Sequence, residues 1–255
     1  MLIKRMKSGQ PKAILYANAA MLLWGAIARA QVIPDVRALT LNGSARMVQS
    51  AYGPVLRLTS AHVNQTGSAF TSSSFPVNAF SLFFQFRITD AKSGYGPGDG
   101  IAFVLQTEGA NALGAGGGSL GYGGIAPSVA VEFDTYQNSF DINDNHVAIL
   151  TNGVMTDLDP QTPYPGVYCG NYPPPFGCMS DGDIWSVWID YDGTNLYVAL
   201  ADKSTTRPPN LITYPIDISG ILGQNSAFIG FTAACGDAYE NQYIFNVRWK
   251  YPSGL

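Results

Sequence analysis

The sequence predicts an all-β protein, a sandwich of two packed antiparallel sheets, and three observations carry that prediction. Apolar and polar residues alternate at a period of two in nearly every segment where a period is readable. The 28 Gly and 16 Pro fall mainly between those segments, where turns require them. No segment beyond residue 30 sustains a helical period. Short strands with turn-rich joints favour a sandwich or a barrel.

Taken in order, the chain begins with a leader. "MLIKRMKSGQPK" carries four positive charges, an apolar run broken only by Asn18 follows, and the segment closes on Ala28-Arg29-Ala30. That arrangement reads as a secretory signal peptide over residues 1–30, the apolar run being short for a membrane span of about 20 residues. Residues 31–255 show no linker or composition break and read as one domain. The first clear strand is "FSLFFQFRI", with Phe80, Leu82, Phe84, Phe86 and Ile88 on one face, Ser81, Gln85 and Arg87 on the other, and Phe83 as an exception. "SVAVEFDTY" alternates Val129, Val131 and Phe133 with Ala130, Glu132 and Asp134. "DIWSVWIDY" turns Trp185, Val187, Ile189 and Tyr191 inward, and "NLYVALAD" follows across Asp192-Gly193-Thr194, a hairpin signal. "SAFIGFTA" and "YIFNVRWKY" supply two late strands.

Five of the 14 Lys and Arg, and none of the 18 Asp and Glu, lie in residues 1–30, so the mature chain has a net charge of −9. That balance argues against nucleic acid and anionic membranes as partners. Cys169 and Cys178 bracket "GNYPPPFG", a loop that a disulfide could close in an oxidising compartment, which fits export. Cys235 is left over and reads as a small buried apolar residue, and there is no CxxC pattern for zinc. The glycine-rich "GANALGAGGGSLGYGG" is either a floppy loop or a place where backbone N–H groups approach a ligand closely.

The chemistry concentrates in "VEFDTYQNSFDINDNHV", residues 131–147. Glu132 and Asp134 are two apart on a strand and share a face, where two carboxylates repel unless a cation lies between them. The loop beyond adds Asn138, Asp141 and His146. Calcium takes six to eight oxygens, whereas a transition ion accepts imidazole with carboxylates. Asp134 and Asp141 could bridge one ion of each kind. Glu132 and His146 would complete the transition-ion side, and Asn138 with the Tyr136 carbonyl the calcium side. An acidic surface loop with a solvated histidine is the alternative, and the EF-hand pattern is absent.

"DGIAFVLQ", "GGGSLGYGG", "SVAVEFDTYQN" and "DINDNHVAI", together with "LRLTSAHVNQTGSAF", "WIDYDGTNLYVAL" and "FIGFTAACG", make the chain resemble the legume-type (L-type) lectins, as a secreted, bacterial-like member. The resemblance covers residues 36–251 and implies a concanavalin-like jelly-roll sandwich with Ca2+ and Mn2+, or another transition ion, beside a shallow sugar pocket. It implies metal ligation by Glu132, Asp134, Tyr136, Asn138, Asp141 and His146, and sugar binding by Asp99, Gly118, Tyr136, Asn138, Asp237 and Ala238. It also implies a cis bond between Gly98 and Asp99. Glycans or glycoconjugates are then the partners, the destination is a periplasm, a cell surface or the medium, and pairing of two copies through the back sheet is an option. Laminarinase-like glycoside hydrolases use a similar sandwich, but the position where their acid stands is Tyr136 or Gln137 here, so binding and not turnover is expected. A structural or adhesion module with a vestigial sugar site is a further alternative.

Overall fold

The computed structural model describes residues 35–51, 53–91, 94–156 and 178–251. The expected signal peptide and Cys169 lie outside them. Among the described residues the strands are β1 (Thr40–Gly43), β2 (Arg46–Ser50), β3 (Gly53–Thr59), β4 (Thr66–Phe70), β5 (Phe75–Pro76), β6 (Phe80–Thr89), β7 (Gly100–Gln106), β8 (Ser128–Asp134), β9 (His146–Thr151), β10 (Ile184–Tyr191), β11 (Asn195–Asp202), β12 (Ile212–Pro215), β13 (Ser226–Ala234) and β14 (Asn241–Lys250). They form two antiparallel sheets. The first runs β1-β4-β13-β7-β8-β9, with β5 also on β13, and the second runs β12-β11-β10-β6-β14-β3-β2.

The alternation read from sequence builds the layer between the sheets. Phe80, Leu82, Phe84, Phe86 and Ile88 of β6 are buried, and so are Trp185, Val187, Ile189 and Tyr191 of β10. Phe84 meets Phe133 and Phe231 of the opposite sheet edge-on at 5.8 and 5.0 Å. Phe80 stacks on Trp249 at 4.4 Å. The Asp192-Gly193-Thr194 turn forms as expected, with Gly193 at φ +97°, where a Cβ would be strained.

The first sheet is buried on both faces at β7 and β8. The glycine-rich loop is the reason. It is no floppy connection: it folds over the outer face and brings Ala112, Tyr122 and Ile125 into a second apolar cluster with Ala102, Val104, Ala130 and Leu150. The Tyr122 hydroxyl is bonded to Ser128 Oγ at 2.9 Å and accepts from the Gly153 N–H at 3.0 Å.

His62 sits exposed in the turn between β3 and β4. A short helix, α1 (Ile218–Leu222), appears although no helical period announces it. Its signals are local: Asp217 caps the N-terminus through the Gly220 N–H, and Gly223 leaves at φ +69°. Cys235 is fully buried and free of any disulfide, as its reading as a small apolar residue anticipates. Cys178 is disulfide-bonded, while its expected partner Cys169 lies outside the described residues. No helix among the described residues is long and apolar enough to cross a membrane.

Candidate functional site

Strand β8 sends Val129, Val131 and Phe133 into the core, so parity sends Glu132 and Asp134 to the opposite face. Both are 1 % exposed. Strand β9 sets His146 directly opposite Asp134. One ligand atom from each of Glu132, Asp134 and His146 falls within 4.8 Å of the others. His146 Nε2 lies 3.4 Å from Glu132 Oε1, and its Nδ1 lies 3.0 Å from the Asn143 carbonyl. A carbonyl can only accept, so Nδ1 carries the proton and the Nε2 lone pair faces the carboxylates, an arrangement suited to metal ligation.

Burial holds the Asp134 carboxyl well above the usual range, Glu132 and Asp141 add to the shift, and only a protonated His146 would oppose it. Asp134 Oδ1 accepts from the Tyr136 N–H at 2.7 Å, while Oδ2 is buried with no hydrogen-bond partner. Such an atom costs about 1–3 kcal/mol, more when charged, unless something else satisfies it. A cation does so, and the donor set suits one.

The loop after β8 is folded by its own polar groups. The Asn138 N–H donates to Asp141 Oδ2 at 2.5 Å, and the Asp141 N–H returns to the Asn138 carbonyl at 3.2 Å. Asp141 is not one of the three clustered ligands, but it is buried and close enough to push both Asp134 and Asp99 upward. Asn138 Oδ1 is buried without a partner. Asn145 is structural: its Oδ1 accepts from the Met179 N–H at 3.0 Å. Asp144 points to solvent.

Three further segments converge beside this loop. The Gly98–Asp99 bond is cis, as the resemblance implies. The Asp99 N–H donates to the Ala234 carbonyl at 3.0 Å, and the Asp99 carbonyl accepts from the Thr135 N–H at 2.8 Å. Asp99 is 3 % exposed and its Oδ2 has no hydrogen-bond partner. Burial raises its carboxyl to about 6 against a bond from the Gly236 N–H, with Asp141 and Asp237 adding. A Cβ on Gly98 would stand 2.7 Å from that of Ala238 and 3.2 Å from that of Tyr136. Tyr136 is half-buried, Ala238 is buried and Asp237 is exposed. A Cβ on Gly118 would stand 2.2 Å from Asn138 Oδ1. Gly118→Val is therefore expected to displace Asn138 and weaken ligand binding at least about 10-fold, the worth of one lost hydrogen bond to the ligand, as a calorimetric titration would read.

Sequence reading missed Glu240, which lies fully buried beneath this cleft. Its Oε1 meets Thr135 Oγ1 at 2.7 Å and accepts from Gln242 Nε2 at 2.9 Å. The Thr135 hydroxyl has one proton and also lies 3.0 Å from the Asp99 carbonyl, which can only accept. That single proton serves either Glu240 Oε1 or the Asp99 carbonyl, so one of the two acceptors is always left short. Burial pushes Glu240 up to about 7, with bonds from Gln242, Thr135 and the Gly98 N–H opposing and Asp99 adding. As pH rises from 4.5 through about 7 the unfolded chain ionises first, so the fold loses up to about 3 kcal/mol from this group. Glu240→Gln, neutral and still a donor, is expected to melt several degrees above wild type at pH 8, with the gap closing toward pH 4.5. Melting curves that stay parallel over that range would contradict the assignment. Cys235, whose Sγ donates to the Glu240 carbonyl at 3.5 Å, is pushed by burial up to about 11 and is no nucleophile.

The family pattern described as the legume lectin beta-barrel domain matches residues 35–248. The chain belongs to the legume lectin family. L-type lectin-domain containing receptor kinases I.1 and VIII.1 of Arabidopsis thaliana are 32 % and 31 % identical to it over 85 % and 78 % of the chain. The chain spans about a third or less of those relatives, 33 % and 26 % of their lengths. Among solved structures, basic winged bean lectin with Tn-antigen superposes with a TM-score of 0.67 at 27 % identity, covering 84 % of this chain and 92 % of that one. Peanut lectin with a nine-residue peptide also scores 0.67, at 25 % identity, covering 83 % and 90 %. The described residues thus form a legume lectin domain on the sandwich the sequence predicts, and the solved structures that superpose on it are themselves lectins. The expected bacterial-like character finds no support, since the relatives named are plant proteins.

Proposed function

We propose that this lectin domain binds the hydroxyls of a pyranose in the cleft formed by Asp99, Gly118, Tyr136, Asn138, Asp237 and Ala238. Asp99 accepts from sugar hydroxyls, the Gly118 N–H and the Asn138 amide donate, and Tyr136 offers its ring to a C–H face. Asp237 and Ala238 shape the rim. The observation that carries this reading is the convergence of buried oxygens lacking hydrogen-bond partners, Asp99 Oδ2 and Asn138 Oδ1, on one cleft beside the acidic cluster.

Two cations would organise the cleft. Glu132, Asp134, Asp141 and His146 would hold a manganese-type ion, and Asp134, the Tyr136 carbonyl, Asn138 and Asp141 would hold calcium. Bound cations neutralise the paired carboxylates and tie the loop after β8 to the strand. The working place of the domain is extracellular, after removal of residues 1–30, and its partners are glycans or glycoconjugates. A glycan array read with Ca2+ and Mn2+, and again with chelator, tests the reading. Binding that chelator abolishes is expected; binding that survives confirmed metal removal would refute the metal-organised cleft.

A further inference from the structure

The cations of this acidic chain are gathered on one surface. Of the eight Lys and Arg among the described residues, Arg46, Arg57, Arg87, Arg248 and Lys250 lie on strands of the second sheet, on the face turned away from the cleft-bearing sheet. Lys203 and Arg207, in the segment after β11, reach the same side through Asp183 and Asp190. The strand register aligns Arg46 with Arg57, Arg57 with Tyr243 and Tyr243 with Arg87 in one row. Like charges directly opposite each other destabilise a sheet, and Arg57 Nε is also buried without a hydrogen-bond partner. Farther along, past a bulge in β14, Arg248 aligns with Phe83 and Phe83 with Trp188.

Phe83 is the residue that breaks the alternation of β6. It and Trp188 are half-buried on the outer face, with ring centroids 5.3 Å apart, and the Arg248 guanidinium stands 5.4 Å from the Phe83 centroid. These groups and Lys250 line a hollow of about 580 Å³. Asp183 and Asp190 on this face are engaged by Lys203 and Arg207, and Asp90 lies at its far end, bonded to Asn241. No described acid forms an ion pair with Arg57, Arg248 or Lys250.

Two copies pairing through this face would set these cations against one another. The complementary occupant is an anion. The accessible part of a half-buried aromatic floor takes the C–H face of a sugar ring, and a guanidinium standing against it takes a carboxylate in a bidentate pair. Four residues of β6 separate the Arg87 row from the Phe83 row, about 13 Å, so the cations can meet successive units of a chain.

We propose that the outer face of the second sheet is a second carbohydrate site, specific for polyuronates, with Phe83 and Trp188 stacking on the sugar and Arg248 and Lys250 holding its carboxylates. The site shares no residue with the metal-organised cleft and does not depend on it. Calorimetry with oligogalacturonate, its methyl ester, and phosphatidylserine vesicles tests the proposal. Oligogalacturonate should bind wild type and Asp99→Ala alike, at least 10-fold more tightly than the ester, and at least 10-fold more weakly at 0.5 M than at 0.05 M salt. Arg248→Gln with Lys250→Gln should weaken it at least 10-fold while leaving the melting temperature and array binding in the first cleft unchanged. The proposal fails if oligogalacturonate does not bind, if ester and acid bind equally, if the double variant binds normally, if Asp99→Ala abolishes binding, or if only the vesicles bind.

Discussion

Asp99→Ala is expected to weaken sugar binding at least about 100-fold without lowering the melting temperature by more than a few degrees. The carboxylate is buried, and its Oδ2 has no hydrogen-bond partner in the protein. Two hydrogen bonds from sugar hydroxyls to a charged acceptor are worth about 1.5–3 kcal/mol each, and every 1.4 kcal/mol is tenfold in affinity. The fold gives up little in exchange. Asp99 anchors its loop through its backbone, by its N–H to Ala234 and its carbonyl to Thr135, and those bonds survive the substitution. Loss of a buried carboxylate that burial already holds up at about 6 offsets the small void left behind. Calorimetric titration with a glycan chosen from the array, beside a thermal melt, checks both halves. Unchanged affinity would place the sugar elsewhere.

The parts of this site that were legible in the sequence are those fixed by parity and by composition. Glu132 and Asp134 had to share a face because they are two residues apart on a strand whose other face is Val129, Val131 and Phe133. That His146 stands opposite Asp134 depends on the register of β8 against β9, which the pairing sets and the period does not; there the family resemblance supplied what the alternation could not. Glu240 shows the limit of pattern reading. It shares inward parity with Gln242 and Ile244, but it precedes the apolar run that marks β14, so nothing at that position signals burial. Phe83 shows the reverse. Its break in the alternation was visible, and its meaning emerged only when strand order set Trp188 and Arg248 on either side.

Chelation is expected to lower the melting temperature by about 5–11 °C, the shift that corresponds to about 2.7 kcal/mol when free ion exceeds its dissociation constant 100-fold in a domain of this size. The ligands are already gathered: Glu132, Asp134 and His146 stand within 4.8 Å of one another with the cation-facing side chains buried. Without an ion, burial and two neighbouring carboxylates disfavour the charged form of Asp134; with one, those same charges become the source of binding energy. Melts in Ca2+ and Mn2+ against chelator, with metal content confirmed by elemental analysis, read the shift. Glu132→Gln should shrink it, because one carboxylate ligand is lost, and an unshifted wild-type melt would remove the ions from the structure's stability. Set beside Asp99→Ala, the two perturbations separate the roles of the cleft. Chelation should take sugar binding and stability together, since the loop from Thr135 to Asn145 is held by Asp134 and Asp141 rather than by a strand ladder. Asp99→Ala should take sugar binding alone and keep the full response to chelator.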